Sequence, residues 1–192
     1  LSEIQRTEVA TALYGAEVGR VQIANLSDTH PDADAVDAYE IATKVSAMRL
    51  ADGRRIKGHK VGLTSKAMRE MSQADEPDFG TLFDHWFVPE GSTIAADSLF
   101  RPLVEIEIAF VMNDHLGGPA VNAADVIRAT DFVLPAIEIV DSRFVDHPML
   151  VDSIADVASC GLIVLGGNPR RLDDIDVRRI GGTLVKNGEI EE

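Results

Sequence analysis

The chain has 192 residues, 45% of them hydrophobic, and a mean hydropathy of +0.03, enough for one domain with a real core and a small second lobe. Lys and Arg total 18 against 32 Asp and Glu, a net charge of -14 that repels phosphate backbones and excludes a nucleic-acid partner. No apolar run approaches a membrane span, no basic-then-apolar leader opens the chain, and a lone cysteine, Cys160, rules out an internal disulfide and fits a reducing cytoplasm.

In chain order, residues 2–19 read as a helix capped by Ser2, with Ile4, Val9, Ala12, Leu13 and Ala16 as its apolar stripe. A polar stretch over 25–31 follows. A second helix spans about 32–50 on Val36, Tyr39, Thr43, Ala47 and Leu50, and Asp52-Gly53 ends it. Residues 55–62 read as a strand. From Phe79 to about 165 the chain is strand-rich, with strands expected at 81–88, 103–112, 132–140 and 162–165 and a short helix at 123–129. Asn187-Gly188 marks a hairpin in 183–192. The chain stops about four residues into the returning strand, so part of the domain is expected to lie beyond the sequence given, and apolar residues near 161–165 and 183–185 are expected to face an empty volume or one filled by another chain. The fold class is α+β: a helical lobe over 1–54 and a β-rich core over 55–192.

Three glutamates sit in strand-type surroundings that disfavour Glu: Glu105 and Glu107 in Val-Glu-Ile-Glu-Ile-Ala-Phe, and Glu138 in Pro-Ala-Ile-Glu-Ile-Val. Glu105 and Glu107 share a strand face, opposite Val104, Ile106, Ile108 and Phe110, and lie roughly 6.6 Å apart along it. Clustered carboxylates of this kind suit a hard divalent cation; the pattern also fits three solvated acids on a wet sheet face.

Common catalytic signatures are missing. There is no G-x-G-x-x-G, no phosphate-binding G-x-x-x-x-G-K-[ST] and no G-x-S-x-G, and the five histidines lack metal-ligand spacing. Cys160 reads as a small buried residue. In Gly58-His59-Lys60-Val61-Gly62-Leu63-Thr64-Ser65-Lys66, two glycines flank a strand lysine. Lys60, desolvated near a metal, would have a lowered pKa suited to proton transfer, or is a solvated strand residue. Asp78, in Glu76-Pro77-Asp78-Phe79-Gly80, is a pocket acid or a turn stabiliser.

Those two segments, with Pro102–Phe110 and Leu134–Arg143, occur in the order and spacing of the 2-keto-4-pentenoate hydratase family, of the fumarylacetoacetate hydrolase superfamily, and the chain resembles it along nearly its whole length. The wording at 58–68 is most like the 2-oxohept-3-ene-1,7-dioate hydratases. The resemblance implies a Mg²⁺ or Mn²⁺ site at Glu105, Glu107 and Glu138, with Lys60 and Asp78 lining the pocket. It also implies a mixed β-sandwich or roll core, a homo-oligomer built on pentamers (pentamer or decamer), and a partner decarboxylase or hydratase of the same pathway. The implied reaction is hydration of a 2-hydroxy-2,4-dienoate, through its 2-oxo-3-enoate tautomer, in aromatic catabolism. The alternatives are a 4-oxalocrotonate-type decarboxylase and a non-catalytic partner subunit. A C–C hydrolase ranks third, because His30 lacks a neighbouring acidic motif. The chain departs from the family at Asp156-Val157-Ala158-Ser159, where Val157 replaces an Asn able to bond substrate or backbone, and in a shorter loop at 144–151.

Overall fold

The computed structural model describes residues 1–191, and the expected end of the returning strand at Glu192 lies outside them. Helix α1 (Glu3–Gly19) opens on a capping box: the Gln5 amide donates to Ser2 Oγ, and the Ser2 amide donates to the Gln5 side chain. A short helix, α2 (Leu26–Thr29), interrupts the stretch read as polar loop. Helix α3 (Ala35–Ala51) starts later than expected, because Asp34 caps it by accepting from the Asp37 amide, and it ends at Asp52 with Gly53 at φ +82°.

Both long helices bury a face shifted from the expected one. Helix α1 turns Ala10, Leu13 and Ala16 inward and leaves Ile4 71% exposed. Helix α3 buries Asp37, Ala38, Ile41, Val45 and Arg49, whereas Val36 and Leu50 face solvent. Charged side chains hold two core positions of α3, so hydropathy alone assigns the wrong phase. Arg49 is 2% exposed. Its guanidinium sits 4.6 Å from the Trp86 ring centroid and 5.3 Å from that of Phe83, and donates to Glu17 Oε2 at 2.5 and 3.0 Å.

Burial works against the Glu17 charge, but hydrogen bonding by His85 and the charge of Arg49 hold its carboxyl at about 2, below the ordinary 4.5. A depressed folded-state value means stability that is fully present above about pH 4.5 and is lost as pH falls through about 2. Glu17→Gln is expected to cost about 3 kcal/mol at neutral pH, because the buried Arg49 loses its partner. Denaturant unfolding from pH 7 to pH 2 checks this, and the variant's loss relative to wild type should shrink toward the acid end.

Strands β1 (Ile56–Gly62) and β2 (Asp78–Phe83) form an antiparallel pair, joined through α4 (Lys66–Met71), a helix not foreseen from the sequence. The strand expected at 81–88 is divided: β2 ends at Phe83, residues Asp84–Trp86 make a 3₁₀ turn, and β3 (Phe87–Val88) resumes in another sheet. That sheet is mixed, in the order β3-β6-β5-β4, with β4 (Leu103–Met112), β5 (Thr130–Val140) and β6 (Cys160–Leu165). β3 runs parallel to β6, and the other pairs are antiparallel. Helix α5 (Ala123–Ala129) falls where the sequence puts it, and α6 (Leu150–Ala155) occupies part of the segment read as loop. Strands β7 (Val185–Lys186) and β8 (Glu189–Ile190) form the expected hairpin, with Asn187 at φ +54° and Gly188 at φ +87°.

One buried cluster joins Leu13, Ile41 and Val45 of the helices to Phe83, Trp86, Phe144, Ile154, Val157, Cys160 and Ile163. Of the apolar residues near 161–165 and 183–185 expected to face an empty volume or one filled by another chain, Val185 is exposed, but those at 161–165 do not stand open. Instead Ile163 is buried and Leu162, Val164 and Leu165 are half-buried, since β6 is a central strand with β3 and β5 on its two sides. Exposed apolar residues include Leu103, Val104 and Ile106 on the edge strand β4 and Val185 and Ile190 on the hairpin.

Candidate metal centre

Glu105 of β4 pairs directly with Glu138 of β5, and Glu107 lies opposite Ala136. Cross-strand partners and residues two apart share a sheet face, so all three carboxylates project together. Each offers an oxygen within 4.8 Å of the others. Glu138 is 2% exposed, while Glu105 and Glu107 are open to solvent. Like charges directly opposite on a sheet repel. Burial and then the Glu105 charge push the Glu107 carboxyl up; burial also pushes Glu138 up, against the pull of Lys60.

Lys60 reaches this cluster from the other sheet. Its Nζ donates to Glu138 Oε1 at 2.6 Å and to the Ala158 carbonyl at 2.9 Å. Burial lowers its pKa, but the charge and hydrogen bond of Glu138 outweigh that and hold it above the ordinary value. The Glu138 carboxylate therefore favours the ammonium form of Lys60. Three carboxylates against one ammonium leave two negative charges uncompensated. That balance and the all-oxygen donor set fit a divalent cation of the hard class.

The register of β1 and β2 sets the remaining wall. Lys60 lies opposite Gly80, and Gly62 opposite Asp78. The four positions therefore share one face: two carry the candidate side chains Lys60 and Asp78, and two carry none. A Cβ on Gly62 would stand 2.2 Å from Asp78 Oδ1. Asp78 is 5% exposed, its Oδ1 has no hydrogen-bond partner among the described residues, and burial pushes its carboxyl up against the nearby Lys60 charge.

The sequence marks Asp156–Ser159 as a departure from the family at the pocket, but not the backbone conformation that carries the Ala158 carbonyl to Lys60. Val157, Ala158 and Ser159 all adopt the left-handed conformation, at φ +56°, +52° and +53°. Each costs about 1–2 kcal/mol relative to right-handed backbone, and no Gly or Asn marks the site. The Val157 side chain packs in the core at 1% exposure, so this residue offers the site its backbone only. Arg143 has the charge to bind a second substrate carboxylate. It is instead buried against Asp156, with Nε to Oδ1 at 2.5 Å, and also donates to the Asp156 and Cys160 carbonyls. Arg69 donates to the Leu63 and Thr64 carbonyls. Cys160 is fully buried, and burial pushes its thiol to about 12, which removes it as a nucleophile.

No protein-family profile matches the chain. Individual proteins do. It is 41% identical over 193 residues to the 2-oxo-hept-4-ene-1,7-dioate hydratase of Escherichia coli, covering 97% of this chain and 72% of that protein. It is likewise 41% identical over 186 residues to the 2-keto-4-pentenoate hydratase of Paraburkholderia xenovorans (strain LB400), covering 96% of this chain and 69% of that protein. The chain belongs to the 2-keto-4-pentenoate hydratase family. These relatives are named as hydratases, that is, hydro-lyases. The α+β fold of this hydratase-family chain matches the 4-oxalocrotonate decarboxylase from Pseudomonas putida G7 complexed with magnesium and adipate. The TM-score is 0.93 at 32% identity, over 99% of this chain and 73% of that one. Among the described residues, no helix of this family member is long and apolar enough to cross a membrane.

Proposed function

We propose that the chain is a divalent-metal-dependent hydratase. It adds water to a 2-oxo-3-enoate formed from a 2-hydroxy-2,4-dienoate, giving a 4-hydroxy-2-oxo acid in the breakdown of aromatic compounds. The seven-carbon 1,7-dioate is the favoured substrate. The observation that carries the reading is the convergence of Glu105, Glu107 and Glu138 beneath Lys60, in a chain 41% identical to a hydratase of a seven-carbon dioate.

Glu105, Glu107 and Glu138 would hold Mg²⁺ or Mn²⁺. Bound there, the ion would supply Lewis acidity toward a 2-oxo acid and would neutralise its carboxylate against an acidic protein. Lys60 keeps one ammonium proton beyond the two given to Glu138 and Ala158, and that proton is available to the substrate. Asp78 Oδ1, buried and unpaired, can accept a proton from the attacking water. Between them these two groups perform proton delivery and water activation. No covalent nucleophile is needed.

The helical lobe over 1–54 contributes no site residue, and the β-rich part over 55–192 contributes all five. The reading extends to a homo-oligomer, built as a pentamer or decamer, working in the reducing cytoplasm that suits the buried Cys160 thiol. A second reading, decarboxylation of a 2-oxo acid such as 4-oxalocrotonate, is favoured by the match to the magnesium-bound decarboxylase, but at lower identity.

Gly62→Ala is expected to lower kcat about 10²-fold by displacing the Asp78 carboxylate, while Mg²⁺ affinity measured by calorimetry stays at the wild-type value. Near-normal kcat would remove Asp78 from the chemistry. The function itself is tested by product analysis with 2-hydroxyhepta-2,4-diene-1,7-dioate and 2-hydroxypenta-2,4-dienoate, each with Mg²⁺. The expected product is the 4-hydroxy-2-oxo acid, with the higher kcat/KM on the dioate. Preference for the five-carbon compound would reassign the substrate, and CO₂ release from 4-oxalocrotonate with no hydration of either dienoate would reassign the reaction.

A further inference from the structure

A β-branched residue at positive φ is an outlier, and Val157 is one of three left-handed residues in a row. Such backbone persists only where its surroundings over-determine it, and it gathers at functional sites. Here the surroundings are specific. The Ser159 amide donates to the Asp156 carbonyl at 3.0 Å and the Cys160 amide to the Val157 carbonyl at 3.5 Å, closing a single left-handed turn. Arg143 clamps both ends, with Nη2 to the Asp156 carbonyl at 2.8 Å and Nη1 to the Cys160 carbonyl at 2.7 Å. The Ser159 carbonyl is held by the Asp141 amide at 2.9 Å. Gly80 lies beneath, where a Cβ would stand 2.5 Å from the Val157 carbonyl oxygen and 2.9 Å from its carbon. The one carbonyl left over, that of Ala158, accepts from Lys60 Nζ, and Lys60 is the direct cross-strand partner of Gly80.

We infer that this turn is a positioning device for Lys60, with Arg143 and Gly80 as the positioning residues on which it depends. The inference rests on the reading that Lys60 serves the reaction. A lysine ammonium on a four-carbon stem, held by Glu138 alone, could swing about that single contact. A second acceptor fixed on a rigid turn sets the direction of the third proton. Gly80 keeps the space the turn needs, and Arg143 keeps the turn wound left-handed.

The test uses full-length Gly80→Ala, with Arg143→Lys read in the same way should the first variant fail to fold. The Lys60 ammonium resonance is observed in ¹⁵N-lysine-labelled protein and assigned by its loss in Lys60→Met. It should be protected from exchange in the wild type and shifted or broadened in the variant. With 2-hydroxypenta-2,4-dienoate and Mg²⁺, kcat should fall about 10- to 100-fold, the worth of one hydrogen bond to a charged group, with KM little changed. The same substitution in a Lys60→Met background should add no further loss. A folded variant with a wild-type Lys60 resonance overturns the inference. So does one with wild-type kcat, or with a loss that persists in the Lys60→Met background. Should the wild type hydrate no dienoate, the proposed function fails, and the resonance alone decides whether the turn holds Lys60.

Discussion

Glu107→Gln is expected to lower Mg²⁺-dependent hydration about 1,000-fold, the equivalent of roughly 4 kcal/mol of lost charge stabilisation. The amide preserves the side chain's size and reach but replaces a charged donor oxygen with a neutral one. Glu107 is the member of the triad best suited to this test. The residue is largely exposed, with its carboxyl partly desolvated, and among the described residues it makes no ion pair, so the fold does not depend on its charge. Its carboxyl is pushed up by burial and by Glu105, so removing the charge relieves repulsion in the metal-free protein. Thermal unfolding without metal should place the variant within about 0.5 kcal/mol of wild type or slightly above it. Calorimetry should show weakened Mg²⁺ binding. Wild-type turnover in the variant would take Glu107 out of the metal set.

Lys60→Met carries the second large effect and acts on two levels. Loss of a positioned proton donor should reduce kcat by about 10²- to 10⁴-fold. The substitution also strands Glu138, 2% exposed, without its ammonium partner, which should cost about 3 kcal/mol in the metal-free protein. Saturating Mg²⁺ should recover part of that stability but none of the rate, because a cation bound to the folded state alone stabilises it by mass action. Denaturant unfolding with and without Mg²⁺ separates the two effects. Near-normal hydration would return Lys60 to a structural role as the partner of Glu138.

The residues that announce the site are those whose neighbours make them conspicuous. Glu105 and Glu107 stand out because the strand alternation of β4 is clear, and the face they share follows from that period. Their meeting with Glu138 follows from a β4–β5 register that one strand alone does not specify. Asn187-Gly188 gives its hairpin because both residues accept positive φ. The helix faces were misread because Asp37 and Arg49 occupy buried positions, their charges met by partners distant in sequence. Lys60 meets Glu138 across 78 residues, a contact that only the two-sheet arrangement creates. The turn at 157–159 was illegible for a different reason. Val, Ala and Ser carry no local preference for left-handed backbone, and the conformation is imposed from outside by Arg143, Gly80 and Asp141.

The most direct test of metal-dependent water addition is hydration in H₂¹⁸O of 2-hydroxyhepta-2,4-diene-1,7-dioate by protein freed of metal with EDTA, before and after Mg²⁺ is restored. The account predicts no product until Mg²⁺ returns, then a 4-hydroxy-2-oxo dioate carrying ¹⁸O in its C4 hydroxyl, with no CO₂ released. Product formed at full rate in EDTA, or a product without ¹⁸O at C4 once Mg²⁺ is restored, would contradict it.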